Sequence, residues 1–139
     1  MDYHIEEKES FAVSGPFYPA NAQTDYLGLW QDYLEENPEA GLTYGYTYEI
    51  KEYGAVIYQL GQVVAVDQAE AKVVPASKYV VIDLEGPAGF SLAMAYGYFF
   101  DEVCPQEGIA EDYKWSVEMY PAGDRTAMDY QMQLWLAVE

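Results

Sequence analysis

KYVVIDLEGP at residues 78–87 and KESFAVSGP at residues 8–16 decide the fold. Each stretch begins with lysine, continues with residues that favour strands, and closes on Gly-Pro, which signals a turn. Each is followed by a segment with helical periodicity and then by two further strand-like runs. The chain therefore repeats the order strand, helix, strand, strand once. We predict a single domain over residues 1–139, with halves at about residues 1–70 and 71–139.

Two segments carry helical periodicity. The first spans residues 22–36 and stops at Asn37-Pro38, and the second spans residues 89–103 and stops at Cys104-Pro105. The apolar side chains of the first segment recur at spacings of three and four, as on one face of an amphipathic helix: Tyr26, Leu29, Trp30, Tyr33 and Leu34.

The remaining segments read as strands. One strand is predicted over residues 3–14, several over the Tyr-, Val- and Ile-rich residues 42–66, and a central one over residues 79–84. Two last strands are predicted at about residues 113–120 and 129–138. Such a repeat builds one curved antiparallel sheet that carries two helices and leaves a central ligand cleft between its halves. The predicted fold class is α+β.

The charge of the chain excludes some partners and favours others. There are 24 Asp and Glu residues against six Lys and Arg, which gives a formal net charge of -18. Direct binding to nucleic acid needs clustered basic residues, so it is excluded, and anionic membranes are disfavoured likewise. A negative field attracts a small cation or a basic protein, although the alternative is that the charge only keeps the protein soluble.

Several kinds of site have no signal in the sequence. Cys104 is the only cysteine, so neither an internal disulfide nor a multi-cysteine zinc site is expected. His4 has no second His or Cys close in sequence, so no metal site is proposed. There is no apolar stretch long enough to span a membrane and no export signal, and we expect a cytoplasmic location. Phosphate loops and Ser-His-Asp spacings are absent, so no cofactor and no catalytic residue is predicted.

Four segments resemble the GyrI-like effector-binding family, which is also found in the ligand-sensing parts of the regulators BmrR and Rob. They are GPFYP at 15–19, VVPASKYVVIDLEGP at 73–87, VEMYP at 117–121 and DYQMQLWLAV at 129–138. The resemblance covers essentially the whole chain. It implies a domain that binds lipophilic, often cationic molecules and passes the event to a fused DNA-binding domain. No helix-turn-helix fits into these residues and the chain begins with Met, so we expect a stand-alone sensor or sequestering module. The alternative is a sensor excised from a longer protein.

The resemblance places the family's buried strand glutamate at Glu118. A carboxylate in an apolar pocket is costly, so it takes up a proton or waits for a cation. The alternative is an ordinary solvent-facing strand residue. The register of the closing hairpin matters, because a slip of one residue moves Glu118 from the side of Gln133 and Trp135 to the side of Met132 and Leu134.

The last strand departs from the family pattern. Family members commonly carry Glu and then Pro where this chain has Gln133 and Ala137. The missing carboxylate puts a mechanism with two acids in doubt. It also leaves Gln133 as a neutral hydrogen-bonding group of the site.

Aromatic rings are expected to supply the rest of the affinity, because a flat cation between ring faces gains about 0.5 to 2 kcal/mol per good contact. The 15 Tyr against 5 Phe favour a wet, adaptable cavity over a dry core. For each ring, plain core packing is the alternative. The predicted ligand-binding residues are Glu118, Gln133, Trp30, Tyr46, Tyr58, Tyr96, Phe99, Trp115, Tyr120 and Trp135.

Three functions remain open at this point. The first is a module that binds small lipophilic or aromatic molecules, preferably cations. The second is a small-molecule hydrolase of the same fold, in which buried carboxylates activate water. The third is an acidic interaction module for a basic partner, such as gyrase or a DNA-binding regulator.

Overall fold

The computed structural model describes residues 1–139, and nine strands form its sheet. All pairs of strands are antiparallel. The strands are β1 (Asp2–Lys8), β2 (Phe11–Ser14), β3 (Phe17–Ala20), β4 (Thr43–Tyr48), β5 (Val56–Val64), β6 (Lys72–Val74), β7 (Ser77–Glu85), β8 (Ser116–Tyr120) and β9 (Gln131–Val138).

Helix α1 spans Tyr26–Glu36, and it begins where the sequence places a capping residue. The Asp25 carboxylate accepts a hydrogen bond of 3.0 Å from the backbone N–H of Gly28, which satisfies one of the free donors of the first turn. The helix ends at Asn37, whose backbone N–H and side-chain amide both donate to the carbonyl of Tyr33. This helix was predicted by its apolar periodicity.

Helix α2 spans Ala88–Tyr98 and runs on through a π-helical turn, Phe99–Val103, into the short helix α3, Cys104–Glu107. The prediction that helical structure stops at Cys104-Pro105 is therefore wrong. Pro105 lies in the first turn of α3, directly after the π-helical turn, and does not end the helical structure. The end comes at Gly108, whose φ of 67° is the left-handed conformation that glycine adopts without strain. None of the helices combines the length and the apolar character that a membrane crossing requires.

The strand order is β1-β7-β9-β8-β4-β5-β2-β6, with β3 also paired to β5. This order is symmetric about the junction of β8 and β4, as the repeated unit requires. The first strand of each half pairs in the other half: β1 pairs with β7, and β6 pairs with β2. The sheet is curved and does not close, and the predicted α+β class with two main helices is confirmed.

The single strand predicted over residues 3–14 is in fact two strands. Strand β1 ends at Lys8 and lies beside β7, whereas β2 begins at Phe11 and lies between β5 and β6. The two pieces belong to opposite ends of the sheet, so the chain must leave one edge at Glu9 and Ser10 to reach the other. The local sequence shows two β-favouring pieces around an acidic middle, but long-range pairing decides that they separate.

The sheet carries a separate apolar cluster on each face. One face is covered by the helices and is here called the helix face. On it, strand side chains such as Ile82 and Leu134 pack with Ala95 of α2 and Phe99 of the π-helical turn. On the opposite face, Val81 and Trp135 belong to a second buried cluster. Neighbouring residues of a strand point to opposite faces, which is why Leu134 and Trp135 belong to different clusters.

Candidate functional site

Glu118 lies in the middle of β8, opposite Gly45 of β4 and Leu134 of β9. Its side chain is on the helix face, together with that of Tyr120, and only 9% of the residue is exposed. Burial raises the pKa of the Glu118 carboxyl above its usual value. The register therefore places Glu118 on the side of Met132 and Leu134, and Glu118 is not a solvent-facing residue.

Two tyrosines bind the same carboxylate oxygen. The hydroxyls of Tyr58 and Tyr120 each donate to Oε1 of Glu118 at 2.7 Å, and Nε1 of Trp30 donates to the Tyr58 hydroxyl at 2.8 Å. These bonds favour the charged carboxylate and so oppose the effect of burial on its pKa. Oε2 makes no hydrogen bond within the protein. One oxygen of a buried carboxylate is therefore left as a free acceptor.

The rings around Glu118 pack edge to face and form what we call the ring cage: Tyr26, Trp30, Tyr58 and Tyr120. The ring centres of Trp30 and Tyr120 are 4.9 Å apart, and those of Tyr26 and Tyr58 are also 4.9 Å apart. In such arrangements a positive ring edge meets a negative ring face. Helix α1 supplies Tyr26 and Trp30, and the sheet supplies the other two.

Arg125 covers the ring cage from the loop between β8 and β9. The carbon at the centre of its guanidinium lies 4.4 Å from the ring centre of Trp30 and 4.2 Å from that of Tyr120. The group donates a hydrogen bond of 2.7 Å to the Thr43 hydroxyl and makes no direct ion pair with Glu118. Its positive charge still lowers the pKa of Glu118, although less than the two tyrosine hydrogen bonds do. The cage thus already holds a cation of the chain itself.

Gly45 makes room for the hydrogen bond between β5 and β8. A Cβ at this position would lie 2.8 Å from Oε1 of Glu118 and even closer to the Tyr58 hydroxyl. No side chain can therefore occupy this position without displacing the bonded pair. The glycine in the run Thr43–Tyr48 has a packing reason that the sequence does not reveal.

Tyr96 and Phe99 are also on the helix face. Tyr96 lies in α2, and Phe99 begins the π-helical turn that follows it. The Tyr96 hydroxyl lies 3.1 Å from Oγ of Ser116, and burial, followed by the charge of Glu118, raises the pKa of Tyr96 well above its usual value. Phe99 is fully buried and packs against the rings of Phe100 and Tyr113. Phe99 is a core residue, whereas Tyr96 borders the site.

The other four predicted residues lie on the opposite face: Tyr46, Trp115, Gln133 and Trp135. There, Trp115 donates to the Tyr79 hydroxyl at 2.9 Å, Trp135 donates to Oε1 of Gln133 at 2.9 Å, and Gln133 donates to Asp83 at 2.8 Å. The backbone of the sheet separates all four from Glu118. The expectation of one pocket lined by all ten residues is therefore corrected, and a ligand role for these four stays a prediction.

Sequence reasoning missed three contributors to the site. Tyr26 lies four residues before Trp30 in α1, so it was in the apolar stripe without being assigned to the site. Thr43 and Arg125 meet only through the fold, since they are 82 residues apart. The sequence offers one signal for Arg125, because it is the only arginine of the chain.

Two cavities lie away from the ring cage. One of about 360 Å³ follows the end of α1 and is lined by Asn37, Pro38 and their neighbours. Another of about 570 Å³ is lined by residues that include Asp83, Met119 and Gln133. Glu118 lines neither of them. At the centre of the sheet, where the repeat predicts a cleft, the ring cage and Arg125 are packed together around Glu118.

Neither a metal site nor a reactive thiol is favoured by the arrangement of the side chains. No group of three or more His, Cys, Asp or Glu residues lies close enough together to hold a metal ion. Cys104 is a free, buried thiol whose Sγ lies 3.6 Å from the carbonyl of Ala110. Burial raises the pKa of this thiol, which disfavours the reactive thiolate.

Solved structures share the fold over the whole chain. A bacterial transcription regulation protein of Staphylococcus aureus, described as putative, is 18% identical with a TM-score of 0.76 over 100% of this chain and 99% of its own. The SAV2435 protein bound to tetraphenylphosphonium is 20% identical with a TM-score of 0.75 over 100% and 94%. The C-terminal domain of EcmrR is 20% identical with a TM-score of 0.66 over 99% and 97%.

The sequence itself matches a family model. Among curated proteins, none matches. Residues 4–138 match the model of Cass2, the integron-associated effector-binding protein. The match spans both halves of the sheet, both main helices and every residue of the ring cage. The chain therefore belongs to the integron-associated effector-binding protein family, a GyrI-like group.

Proposed function

We propose that this protein binds small lipophilic aromatic cations at Glu118, inside the ring cage, and acts as a sensor or sequestering module. The observation that carries the proposal is the buried Glu118 carboxylate, which has two hydrogen bonds on Oε1 and none on Oε2. A buried negative charge without a direct ionic partner is unfavourable. A bound cation relieves that cost by direct attraction, which is stronger at a largely buried carboxylate than in bulk water.

The rings add affinity and select the shape of the ligand. Trp30 and Tyr120 present two ring faces at an angle of 61° to each other. A cation placed over ring faces gains about 0.5 to 2 kcal/mol per contact, in addition to the burial of its apolar surface. This combination favours cations that carry aromatic groups over small hydrated ions such as sodium.

The surface charge supports the capture of cations from solution. Of the 24 acidic residues, only Glu6 forms ion pairs, with His4 and Lys8. The remaining acidic charge is unpaired and attracts cations at long range, which raises the rate of encounter. The buried carboxylate then supplies the specific contact.

A protein of similar fold gives the probe for the test. SAV2435 was solved with tetraphenylphosphonium, a lipophilic cation with four aromatic rings. At 20% identity the likeness concerns the fold, so binding of this compound by the present chain is part of the proposal. It is a suitable probe because its charge does not change with pH.

Isothermal titration with tetraphenylphosphonium tests the proposal. We expect the wild type to bind at micromolar levels and Glu118→Gln to lose at least about tenfold in affinity, since roughly 1.4 kcal/mol of attraction corresponds to tenfold. Glu35→Gln is the matched control, because it removes the same charge from an exposed position of α1. Equal binding by Glu118→Gln and the wild type would show that the site is elsewhere.

A second candidate is a complex with a basic protein. The unpaired acidic surface that attracts small cations also attracts a basic partner, such as gyrase or a DNA-binding regulator. Titration with the purified partner at two salt concentrations separates the two functions. Attraction through exposed charges weakens steeply with salt, whereas binding of a cation at the buried Glu118 weakens much less.

A further inference from the structure

Arg125 occupies the ring faces that a cationic ligand needs. Its guanidinium lies 4.4 and 4.2 Å from the ring centres of Trp30 and Tyr120, and Tyr120 also donates a hydrogen bond to Glu118. The side chain is only partly buried, donates a hydrogen bond to Thr43, and lies near the Tyr130 hydroxyl, whose pKa it lowers against the effect of burial. No carboxylate pairs with it directly. A side chain that is held mainly by ring contacts can be exchanged for another cation.

The chain uses the same contact elsewhere. Four of its six basic residues lie over aromatic rings: Lys8 over Trp135 at 4.1 Å, Lys72 over Tyr48 at 4.7 Å, Lys114 over Trp115 at 4.9 Å, and Arg125. Arg125 differs from the three lysines in two ways. It alone contacts two rings, and it alone lies beside a buried carboxylate.

We infer that Arg125 is an internal competitor that sets the selectivity of the Glu118 site: a guest cation binds only if it displaces the guanidinium from Trp30 and Tyr120. This inference rests on the proposed function of the site. It adds the residue that decides which cations are admitted.

Tethering makes Arg125 a strong competitor. A group on the same chain has a high effective concentration at its site, so a free cation of similar size cannot compete at ordinary concentrations. A small cation such as tetramethylammonium gains only the ring contacts that the guanidinium gives up. A cation with several aromatic rings gains additional apolar burial and contacts with Tyr26 and Tyr58, so it can displace the side chain. The admitted class is therefore large, multi-ring cations.

The displacement needs a side-chain movement and not a movement of the whole loop. The carbonyl of Arg125 accepts a hydrogen bond of 2.8 Å from the backbone N–H of Ala88, at the start of α2. Tyr130 closes the loop by donating to the carbonyl of Pro121 at 2.7 Å. These bonds hold the backbone of the loop on both sides. The long side chain of Arg125 can leave the rings through rotation of its own bonds.

Titration of four proteins with two probes tests the inference, at about pH 8 to favour the charged form of Glu118. The proteins are the wild type, Arg125→Gln, Arg125→Lys and Lys8→Gln, and the probes are tetraphenylphosphonium and tetramethylammonium. Lys8→Gln is the matched control, because it removes one positive charge and one ring contact on the opposite face. Circular dichroism establishes that each variant is folded. Arg125→Lys keeps the charge, and an ammonium gives a smaller contact with two rings than a guanidinium does.

We expect Arg125→Gln to bind tetraphenylphosphonium roughly tenfold more tightly than the wild type, since the guanidinium no longer competes for the faces of Trp30 and Tyr120. It should also bind tetramethylammonium, whereas we expect the wild type not to bind it. Arg125→Lys should be intermediate, and it decides the question if Arg125→Gln does not fold. Lys8→Gln should match the wild type.

Two different results would overturn the inference. If the wild type binds tetraphenylphosphonium and neither Arg125 variant binds it more tightly, Arg125 is not a competitor, while the proposed function stands. If no protein of the set binds either probe, the proposed function fails and the role of Arg125 fails with it. An equal gain in Lys8→Gln would assign the effect to net charge and likewise contradict the inference.

Discussion

The hydroxyl of Tyr58 lies 2.7 Å from Oε1 of Glu118, although the two residues are 60 positions apart in the chain. The bond passes over Gly45, because β4 lies between β5 and β8 in the sheet. It joins β5 of the first half to β8 of the second half on the helix face. The buried site is therefore also a contact on which the stability of the fold depends.

Loss of this bond should destabilise the protein. Tyr58→Phe leaves the Glu118 carboxylate with one donor and the Trp30 N–H without its acceptor, so we expect the free energy of unfolding to fall by about 2 kcal/mol. Urea denaturation measures the change. Tyr53→Phe is the control, because Tyr53 is fully exposed and its hydroxyl makes no hydrogen bond to the protein. Equal stabilities of the two variants would contradict the buried bond.

The stability of the protein should depend on pH through Glu118. Burial raises the pKa of Glu118 in the folded state above the ordinary value of 4.5, so the native state binds the proton more tightly than the unfolded state. The stability that this proton contributes is complete below the unfolded pKa and is lost as pH rises through the folded pKa. Glu118→Gln does not titrate, so its stability relative to the wild type should increase with pH across that window.

Urea denaturation of both proteins over a pH series measures the difference. The tyrosines that face Glu118 do not titrate in the window, because burial raises the pKa of Tyr58, Tyr96 and Tyr120 well above the usual value. A stability difference between Glu118→Gln and the wild type that stays constant with pH would mean that the folded pKa is not raised.

A methyl group at residue 45 should disturb the site. Gly45→Ala places a Cβ against the Tyr58 hydroxyl and Oε1 of Glu118, so we expect a loss of about 1 to 3 kcal/mol from overpacking and weaker binding of tetraphenylphosphonium. Gly41→Ala is the matched control, since a Cβ at that position has no atom within 4 Å. Thermal denaturation and titration compare the two. Unchanged stability and binding in Gly45→Ala would mean that the strands can separate locally without cost.

Tryptophan fluorescence should report which face of the sheet binds the ligand. Trp30 lies in the ring cage, whereas Trp115 and Trp135 lie on the opposite face. In a variant with Trp115→Phe and Trp135→Phe, tetraphenylphosphonium should still change the emission. In Trp30→Phe the change should be largely lost. The reverse pattern would place the ligand on the opposite face.

The sequence predicts the elements of this fold well because they depend on local patterns. The stripe around Trp30 specifies α1, and the β-favouring run at residues 79–84 specifies the middle of β7. The duplication then limits the arrangement to one antiparallel sheet. The break between Lys8 and Phe11 could not be predicted, because it depends on which distant strands pair with each piece.

The site is harder to predict than the fold. Glu118 was assigned through resemblance, and Tyr58 and Tyr120 were named as rings without their hydrogen bonds to it. Alternation along a strand divides residues between two faces, but it does not show which face the helices cover. Tyr46 and Trp135 could therefore be assigned to the pocket although the sheet lies between them and Glu118. The covered face becomes known only from the packing of helical residues such as Trp30 and Phe99 against the sheet.

The exchange of first strands between the two halves has a consequence for assembly. Because β1 completes the second half and β6 completes the first, neither half can bury its apolar surface alone. Cleavage of the connection between β5 and β6 should leave two fragments that fold only when they are mixed. A complementation pair of this kind would make reassembly of the split protein a reporter for cation binding in living cells.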